Sequence, residues 1–440
     1  MNKLVLDFLF AQIPQYKQGD STEGRDKIMR ETKINRWRVV VGAVLIQVCL
    51  GAIYAWSLFN QPLIEKFGWH SEDVVLTFSI TIAVFAAFTI LAGKVQDRIG
   101  PRWVATAGGL LLGLGLILAS RATTIWELYL FYGIIGGAGI GTAYVCPLAT
   151  CVKWFPDKRG LISGVAVAGF GAGSLLFKPV ILFLISNFGV SETFMYLGII
   201  YPLAIVLGAQ FLILPPADYV PKGWTPPENS KAPVSNFTSG QMLKTYQFYI
   251  MWFMYLLGCV AGLMVISLAV NIGTDFVGLG PALAANAVIA IAIFNAAGRV
   301  AWGTLSDMLG RINALVVMYI LTASTMFYMG TMTLGYLGFM IAVSLAGFCF
   351  GGFLALFPSL TADYYGIRNM GGNYGLVYQA YGLAAIVGPR IATSMEFASA
   401  FMIAGILSVA AAVMAFLLKP PVLAEEAGTT RIGEGSPKPS

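Results

Sequence analysis

A single arginine interrupts a long apolar stretch in the second half of the sequence. Arg299 lies in "FNAAGRVAWGTLSDMLGR", residues 294–311, and residues 284–297 before it carry no charge. Its planar guanidinium can bind both oxygens of one carboxylate at once, which a lysine ammonium cannot do. Burying such a charge in a membrane span costs between about 2.5 and more than 10 kcal/mol. Arg299 therefore predicts an anion-binding site inside a hydrophobic segment.

Other side chains that could carry chemistry are scarce. The chain has one histidine, His70, and five cysteines without the spacing of a metal site. A membrane metalloenzyme and a Ser/His/Asp hydrolase would both lack the necessary groups. The sequence therefore predicts no catalytic residue, no metal and no cofactor. The cysteines are interpreted as small packing residues: Cys49, Cys146, Cys151, Cys259 and Cys349.

The composition predicts a polytopic membrane protein. Hydrophobic residues make up 58% of the chain and charged residues 11%, whereas soluble domains carry about a quarter charged residues. Apolar stretches recur along the whole chain, each near the ~20 residues that a helix needs to cross a bilayer. We predict twelve transmembrane helices, with cores near 38–60, 74–94, 103–120, 125–150, 160–187, 193–214, 248–271, 283–304, 312–331, 335–357, 371–393 and 398–418.

Lysine and arginine predict the orientation of these spans. With the N-terminus inside, the outer loops hold few basic residues beyond Lys66 and Arg121. The positive-inside rule then places both termini in the cytoplasm. Because these cations flank helices at an anionic membrane surface, the net charge of +6 requires no nucleic-acid partner. The inner basic residues are Lys27, Arg30, Arg36, Lys94, Arg98, Arg102, Lys153, Lys158, Arg159, Lys222, Lys231, Lys244, Arg311, Arg368 and Lys419.

Polar segments at the ends and in the middle divide the chain. The apolar run "LVLDFLF" near the start is too short for a span. An interfacial amphipathic turn and a start site at Met29 remain alternatives to a simple arm there. The middle segment is rich in proline, as in an extended linker. The predicted units are a cytoplasmic N-terminal arm (1–35), a six-helix bundle (36–214), a cytoplasmic linker (215–246), a second six-helix bundle (247–418) and a disordered C-terminal tail (419–440).

One short motif occurs at corresponding places in the two bundles. "GKVQDRIGPR" follows the second span and "GTLSDMLGR" follows the eighth, and both read G-x-x-x-D-x-x-G with a basic residue close behind. A looser pair, "KWFPDKRGLISG" and "DYYGIRNMGGNYG", opens the fifth and eleventh spans. Two halves built on one plan are typical of transporters with parallel repeats.

These motifs resemble the signature of the major facilitator superfamily, and the resemblance extends from about Arg36 to Leu418. It implies an all-α integral membrane fold of two pseudo-symmetric six-helix bundles. Glycine in the motif would let a neighbouring helix approach closely. The motif aspartates would face helix N-termini and the basic residues Arg98, Arg102 and Arg311 across the interface of the bundles and latch the cytoplasmic side. The predicted gating residues are Gly93, Asp97, Arg98, Arg102, Gly303, Asp307 and Arg311.

Further segments resemble a subgroup of that family. "YAWSLFNQPL", "WFPDKRGLISGVAVAGFGAG", "NFTSGQMLKTYQFYIMW" and "NYGLVYQAYG" are similar to the oxalate/formate antiporters, which are closely related to the monocarboxylate transporters. The resemblance places Arg299 where both groups keep a substrate-binding arginine. Asn295 stands one turn before it, where many animal monocarboxylate transporters have an aspartate.

The resemblance also implies the remaining residues of the substrate site. The oxalate/formate antiporter uses a lysine of helix eleven as a second cation for a dicarboxylate, and alignment places Tyr381 there. One central cation implies a substrate with one carboxylate. Aromatic positions that line the family's cavity correspond to Tyr54, Tyr144, Phe350 and Tyr378, although simple packing is an equal alternative for any one of them.

Alternatives for the buried cations stay open from sequence. Arg299 could pair with an acid on another helix, although the predicted spans carry almost none at its depth. Lys178 and Arg390 lie toward the outer ends of their spans. There they could extend to the interface, pair with Glu396 or draw anions toward the cavity.

The expected function is proton-coupled symport of small monocarboxylates such as lactate or pyruvate, by alternating access in a bacterial cytoplasmic membrane. The alternative is an anion exchanger of the oxalate/formate type. The expected partners are the monocarboxylate, a proton and the lipid bilayer, and the protein is expected to work as a monomer. No titratable acid stands at the depth of Arg299, so the proton carrier is left open. A transporter-like sensor and a membrane enzyme lack the features that those classes require.

Overall fold

The computed structural model describes residues 35–216, 219–221, 223–224 and 236–421. The predicted N-terminal arm lies outside these residues except for Asn35, as does the candidate start at Met29. Part of the predicted linker (217–218, 222 and 225–235) and nearly all of the predicted tail also lie outside them.

Long helices account for nearly all of the described chain. Eleven of them are long and apolar enough to cross a membrane within the described part. This result confirms the predicted all-α membrane fold with many spans. The helices are α1 (Trp37–Ala55), α2 (Ser71–Ile99), α3 (Pro101–Ala119), α4 (Ile125–Trp154), α5 (Arg159–Phe188), α6 (Val190–Ala209), α7 (Tyr246–Ser267), α8 (Pro281–Leu309), α9 (Arg311–Thr331), α10 (Tyr336–Tyr365) and α12 (Phe397–Leu417).

The remaining predicted span, α11, consists of two consecutive helices rather than one. They are Met370–Val377 and Gln379–Ser394, and they meet at Tyr378. The turn tightens there because the N–H of Tyr381 bonds the carbonyl of Tyr378 three residues earlier, at 3.0 Å. The predicted range 371–393 therefore covers the right residues, and the break within it is a feature that hydropathy does not reveal.

Glycine allows helices to cross backbone to backbone. A Cβ at Gly51 of α1 would overlap the carbonyl of Phe170 in α5, and Gly173 in turn faces α1. Just after Gly51, residues Ala52–Ala55 form a 3₁₀ turn that carries Tyr54. The close crossing thus fixes where Tyr54 lies relative to α5.

The two bundles also meet through glycine, at one end of the molecule. Gly93 of α2 lies against the carbonyl of Gly371, at the start of α11, and Gly303 of α8 lies against that of Gly160, at the start of α5. We call this end, which holds Asp97, the latch face. The glycines bring each motif helix against the start of a helix from the other bundle.

We predict that Gly51→Ala destabilises the protein, because the added methyl would overlap the backbone of α5, which cannot yield as a flexible side chain does. Overpacking of this kind costs typically 1–3 kcal/mol. Thermal unfolding in detergent measures the effect. The control is Gly335→Ala, where an added Cβ meets nothing within 4 Å. Equal melting temperatures for the two variants would contradict the close crossing.

Candidate anion site and the contacts between the bundles

Arg299 is buried in α8, with 1% of its surface exposed. Its Nε donates to the side-chain oxygen of Asn295 at 2.8 Å, and its Nη1 donates to the backbone carbonyl of Val167 in α5. Nη2 makes no hydrogen bond to a described residue. Since a guanidinium has five N–H donors in a fixed fork, Arg299 keeps donors available for an anion.

No described acidic group neutralises this charge. Arg299 is the only charged residue among the buried residues of the described part. The ion pairs found in that part do not include Arg299. The pairing with an acid of another helix, left open from sequence, is therefore not seen among these residues. The side chain is held by two neutral oxygens.

Asn295 orients the guanidinium from one turn earlier on the same helix. The two residues are four apart, the spacing at which side chains share a helix face. The backbone around Asn295 lies so close to α10 that a Cβ at Gly351 would overlap the Asn295 carbonyl. Phe350 stands beside that glycine. Close packing of α8 on α10 thus brings Asn295 against the backbone of α10, whereas the ring of Phe350 lies against Gly262 of α7.

The predicted aromatic residues form one cluster that crosses between the bundles. Tyr144 of α4 lies 4.9 Å from Tyr378 of α11, measured between ring centroids. Tyr378 stacks on Tyr381 at 5.0 Å, and Phe350 lies 6.5 Å from Tyr381. The hydroxyls of Tyr54 and Tyr381 are hydrogen-bonded at 2.6 Å. A mostly apolar aromatic wall with a few hydroxyls suits a small organic anion.

Sequence reasoning missed several members of this cluster. Phe170 of α5 lies 5.3 Å from both Tyr54 and Tyr144 and immediately precedes Gly171, against which the Arg299 guanidinium lies. Phe85 lies 5.0 Å from Tyr144. Nothing distinguishes these two phenylalanines from the other 27 in the chain. Only the crossing of α2, α4 and α5 brings them together.

At the latch face, Asp97 caps a helix of the other bundle. Its carboxylate accepts the N–H groups of Gly371 and Gly372 at 3.2 and 2.8 Å, at the start of α11. The Nζ of Lys153 lies 3.7 Å from the same carboxylate. A carboxylate at a helix N-terminus satisfies free N–H donors and interacts favourably with the helix dipole.

Asp307 makes the corresponding contact in the opposite direction. It accepts the N–H groups of Gly160 and Leu161, both at 2.9 Å, at the start of α5. Arg311 lies 2.7 Å from its carboxylate. The two motif aspartates therefore cap corresponding helices, α11 and α5, each from the opposite bundle.

Part of the predicted basic set does not contact these aspartates. Arg98 and Arg102 are exposed, and Asp97 pairs with Lys153 instead. The prediction that they are partners of the motif aspartates is therefore wrong: the helix end presents them to the surface. Arg311 does contact Asp307, as expected.

A further ion pair across the bundles was not foreseen. Arg159 at the start of α5 lies 2.5 Å from Asp363 of α10, which also accepts from Nε of Arg311 at 2.9 Å. Ser359 donates to the carbonyl of Arg159 at 3.0 Å. Arg159 belongs to the motif "KWFPDKRG" and could have been chosen from it, whereas the repeat pattern does not single out Asp363.

The two remaining membrane cations have no ion partner among the described residues. Lys178 and Arg390 are exposed, and the described ion pairs do not include Glu396. The pairing with Glu396 considered from sequence is not seen, and exposure agrees with side chains that extend toward the interface.

Comparisons with known proteins agree with this architecture. A family model described as Major Facilitator Superfamily matches residues 41–389 and 277–438. The oxalate:formate antiporter of Oxalobacter formigenes is 31% identical, covering 88% of this chain and 92% of that protein. Apicoplast pyruvate carrier 1 of Toxoplasma gondii is 26% identical, covering 83% of each. The crystal structure of the E. coli fucose:proton symporter is similar in fold, with a TM-score of 0.65 at 14% identity over 87% of this chain and 98% of that one.

We predict that Asp97→Asn and Asp307→Asn each raise the fraction of molecules open at the latch face. Each change removes a charge and one acceptor from a helix N-terminus, and a loss of ~1.4 kcal/mol would shift the ratio of states about tenfold. Distances between spin labels at Trp103 and Met308, which are exposed on opposite bundles, report that ratio.

The matched control is Asp275→Asn, because Asp275 bonds only its neighbour Thr274 within the described part. An unchanged distance distribution in both latch variants would contradict a latching role. A loss of anion affinity without a change in the ratio of states would do so as well.

Proposed function

The chain belongs to the major facilitator superfamily, and we propose that it is a secondary active transporter of small monocarboxylates, coupled to protons. Lactate and pyruvate are the substrates that we expect. The relatives named as an oxalate:formate antiporter and a pyruvate carrier both handle carboxylates, which supports this substrate class.

The observation that carries the proposal is the buried charge of Arg299 without a described acidic partner. An unpaired charge at this depth is costly, and an anionic substrate offsets that cost. Because Nη2 is free of described protein acceptors, a carboxylate can bind there while Nε stays on Asn295. Asn295 then acts as a positioning residue that keeps the fork aimed at the site.

The surroundings favour a substrate with one negative charge. Tyr381 stands at the position aligned with the second cation of the oxalate/formate antiporter, and its hydroxyl bonds that of Tyr54. Both groups are neutral donors. They suit a hydroxyl or keto oxygen, whereas a second carboxylate would lose its hydration without a matching charge.

We infer an alternating-access cycle from the contacts between the bundles. In the structure the latch face is closed by Asp97 and Asp307 on the helix N-termini of the opposite bundle. The excess of lysine and arginine beside this face supports a cytoplasmic location for it and for both termini. The protein would then work as a monomer in a bacterial cytoplasmic membrane, since both bundles needed for one cycle lie in one chain.

Anion exchange is the second candidate, and the same arginine favours it. An empty site carries an uncompensated charge that opposes the change between the inward-open and outward-open states. The protein would therefore make this change faster with another anion bound. Symport needs a proton carrier instead, and the proton would travel on a water molecule or on the substrate carboxylate.

Proteoliposomes decide between these functions. Uptake of labelled lactate that rises with an imposed inward proton gradient supports symport. Uptake that requires internal formate and ignores the gradient supports exchange. No uptake of lactate, pyruvate or formate under either condition would overturn the proposal.

We predict that Arg299→Lys impairs lactate uptake nearly as strongly as Arg299→Ala. Lysine keeps the charge but loses the planar fork that holds Asn295 and two carboxylate oxygens together. Initial uptake rates over a range of lactate concentrations measure both affinity and turnover. A lysine variant with nearly normal uptake would show that only a positive charge is required.

We predict that pyruvate inhibits labelled lactate uptake more strongly than oxalate does, and that Tyr381→Lys reverses this order. The lysine would supply the second cation that a dicarboxylate needs. Tyr381→Phe is the control, since it removes the hydroxyl without adding a charge. Oxalate that competes better than pyruvate in the unmodified protein would assign the chain to dicarboxylate transport.

A further inference from the structure

The guanidinium of Arg299 bonds a backbone carbonyl of the opposite bundle. Arg299 belongs to α8 in the second bundle, whereas Val167, whose carbonyl accepts from Nη1, belongs to α5 in the first. In a regular helix this carbonyl also receives the N–H of the residue four positions later, Gly171. An external donor must therefore reach the same oxygen from the side of the helix.

The absence of a side chain at residue 171 opens that approach. Helical side chains point toward the N-terminus and cover the turn before their own Cα. A side chain at residue 171 would thus cover the region around the Val167 carbonyl. A Cβ built on Gly171 would lie 2.9 Å from Cζ of Arg299, 3.0 Å from Nη1 and 3.2 Å from Nη2. Because residue 171 is glycine, the guanidinium of Arg299 can occupy the space that a side chain would fill.

At each of the other glycines of this helix, the nearest atom to an added Cβ would be a backbone oxygen. A Cβ at Gly164 would meet the backbone of Arg299, and one at Gly173 would meet the backbone of α1. Gly169 faces Val44 and Gln47 of α1, where the nearest atom would be 3.2 Å away. Gly171 differs from these three because its closest neighbours are the charged end of a flexible side chain.

We propose that Gly171 is a positioning residue that lets Arg299 tie the two bundles together through the Val167 carbonyl, and that a substrate carboxylate competes for this donor. The inference rests on the proposed anion site at Arg299 and deepens it. A carboxylate is a stronger acceptor for a guanidinium than a neutral carbonyl. Binding of the anion therefore draws Nη1 away from α5 and releases one contact that holds the latch face closed.

The variant Gly171→Ala tests this role. The added methyl displaces the end of a flexible side chain rather than backbone, so the protein should fold. Because the methyl displaces the guanidinium itself, we expect roughly tenfold weaker lactate binding even though the competing carbonyl contact is lost. Without any ligand, we expect a several-fold larger fraction open at the latch face by spin-label distances. Gly169→Ala is the matched control: it adds the same methyl to α5 but faces α1, and both measurements should stay near those of the unmodified protein.

A double-mutant cycle separates positioning from general packing. If Gly171 acts through the guanidinium, Gly171→Ala should change lactate affinity less than twofold in the Arg299→Lys background, since coupled residues are not additive. The same full loss in both backgrounds would overturn the inference, as would an unchanged ratio of states in ligand-free Gly171→Ala.

The ligand-free measurement also keeps the two proposals apart. If the unmodified protein binds no monocarboxylate but Gly171→Ala still opens the latch face, the tie stands and the substrate assignment fails. If lactate binds with normal dependence on Arg299 while Gly171→Ala behaves like Gly169→Ala, the substrate assignment stands and the tie fails.

Discussion

A positive charge held deep in apolar surroundings by neutral oxygens is the constraint on which the candidate site depends. The oxygens of Asn295 and Val167 keep Arg299 in place, yet they supply only partial negative charge. These hydrogen bonds hold the guanidinium in the empty site, and its uncompensated charge still favours the binding of an anion. The buried rings of Tyr144 and Tyr378 surround the site with mostly apolar groups, and such low-dielectric surroundings strengthen any charge interaction formed there.

The same interaction, an aspartate that caps the start of a helix in the opposite bundle, occurs twice at the latch face. Asp97 reaches from the first bundle to the start of α11, and Asp307 reaches from the second to the start of α5. A repeated sequence plan makes this reciprocity possible, because each half carries both the acid and the helix start. Glycine at residues 93 and 303 brings the backbones close enough for the acids to reach their N–H donors. Among the described residues, the ion pair of Arg159 and Asp363 lies beside the Asp307 contact and has no counterpart across the bundles beside the Asp97 contact.

Much of the fold follows from hydropathy, because a bilayer demands helices of a certain length. The order of the spans and the place of the paired motifs are of this kind. The break at Tyr378, the crossing of Phe85 and Phe170 near the site, and the pairing of Asp97 with Lys153 depend on how helices rotate and cross. Those rotations are set by contacts between residues far apart in the chain. Arg98 and Arg102 are close to Asp97 in sequence and are therefore predicted as its partners, but both side chains are exposed at the surface. The roles of the site residues remain predictions, although Arg299 could be singled out from its neighbours alone.

On the proposed transport cycle, the uncompensated charge of Arg299 would also make the protein sensitive to voltage. Moving an elementary charge through 100 mV of membrane potential is worth about 2.3 kcal/mol. When the empty protein changes the side to which Arg299 is open, the charge moves through part of that field. With a monocarboxylate alone bound, as in the exchange cycle, the pair is neutral and the field does no work on it, whereas a proton that travels with the substrate restores the net charge of the empty site. An interior-negative membrane would therefore bias the two open states of the empty protein in either cycle, would act equally on the loaded protein in the symport cycle, and would leave the loaded protein unaffected in the exchange cycle.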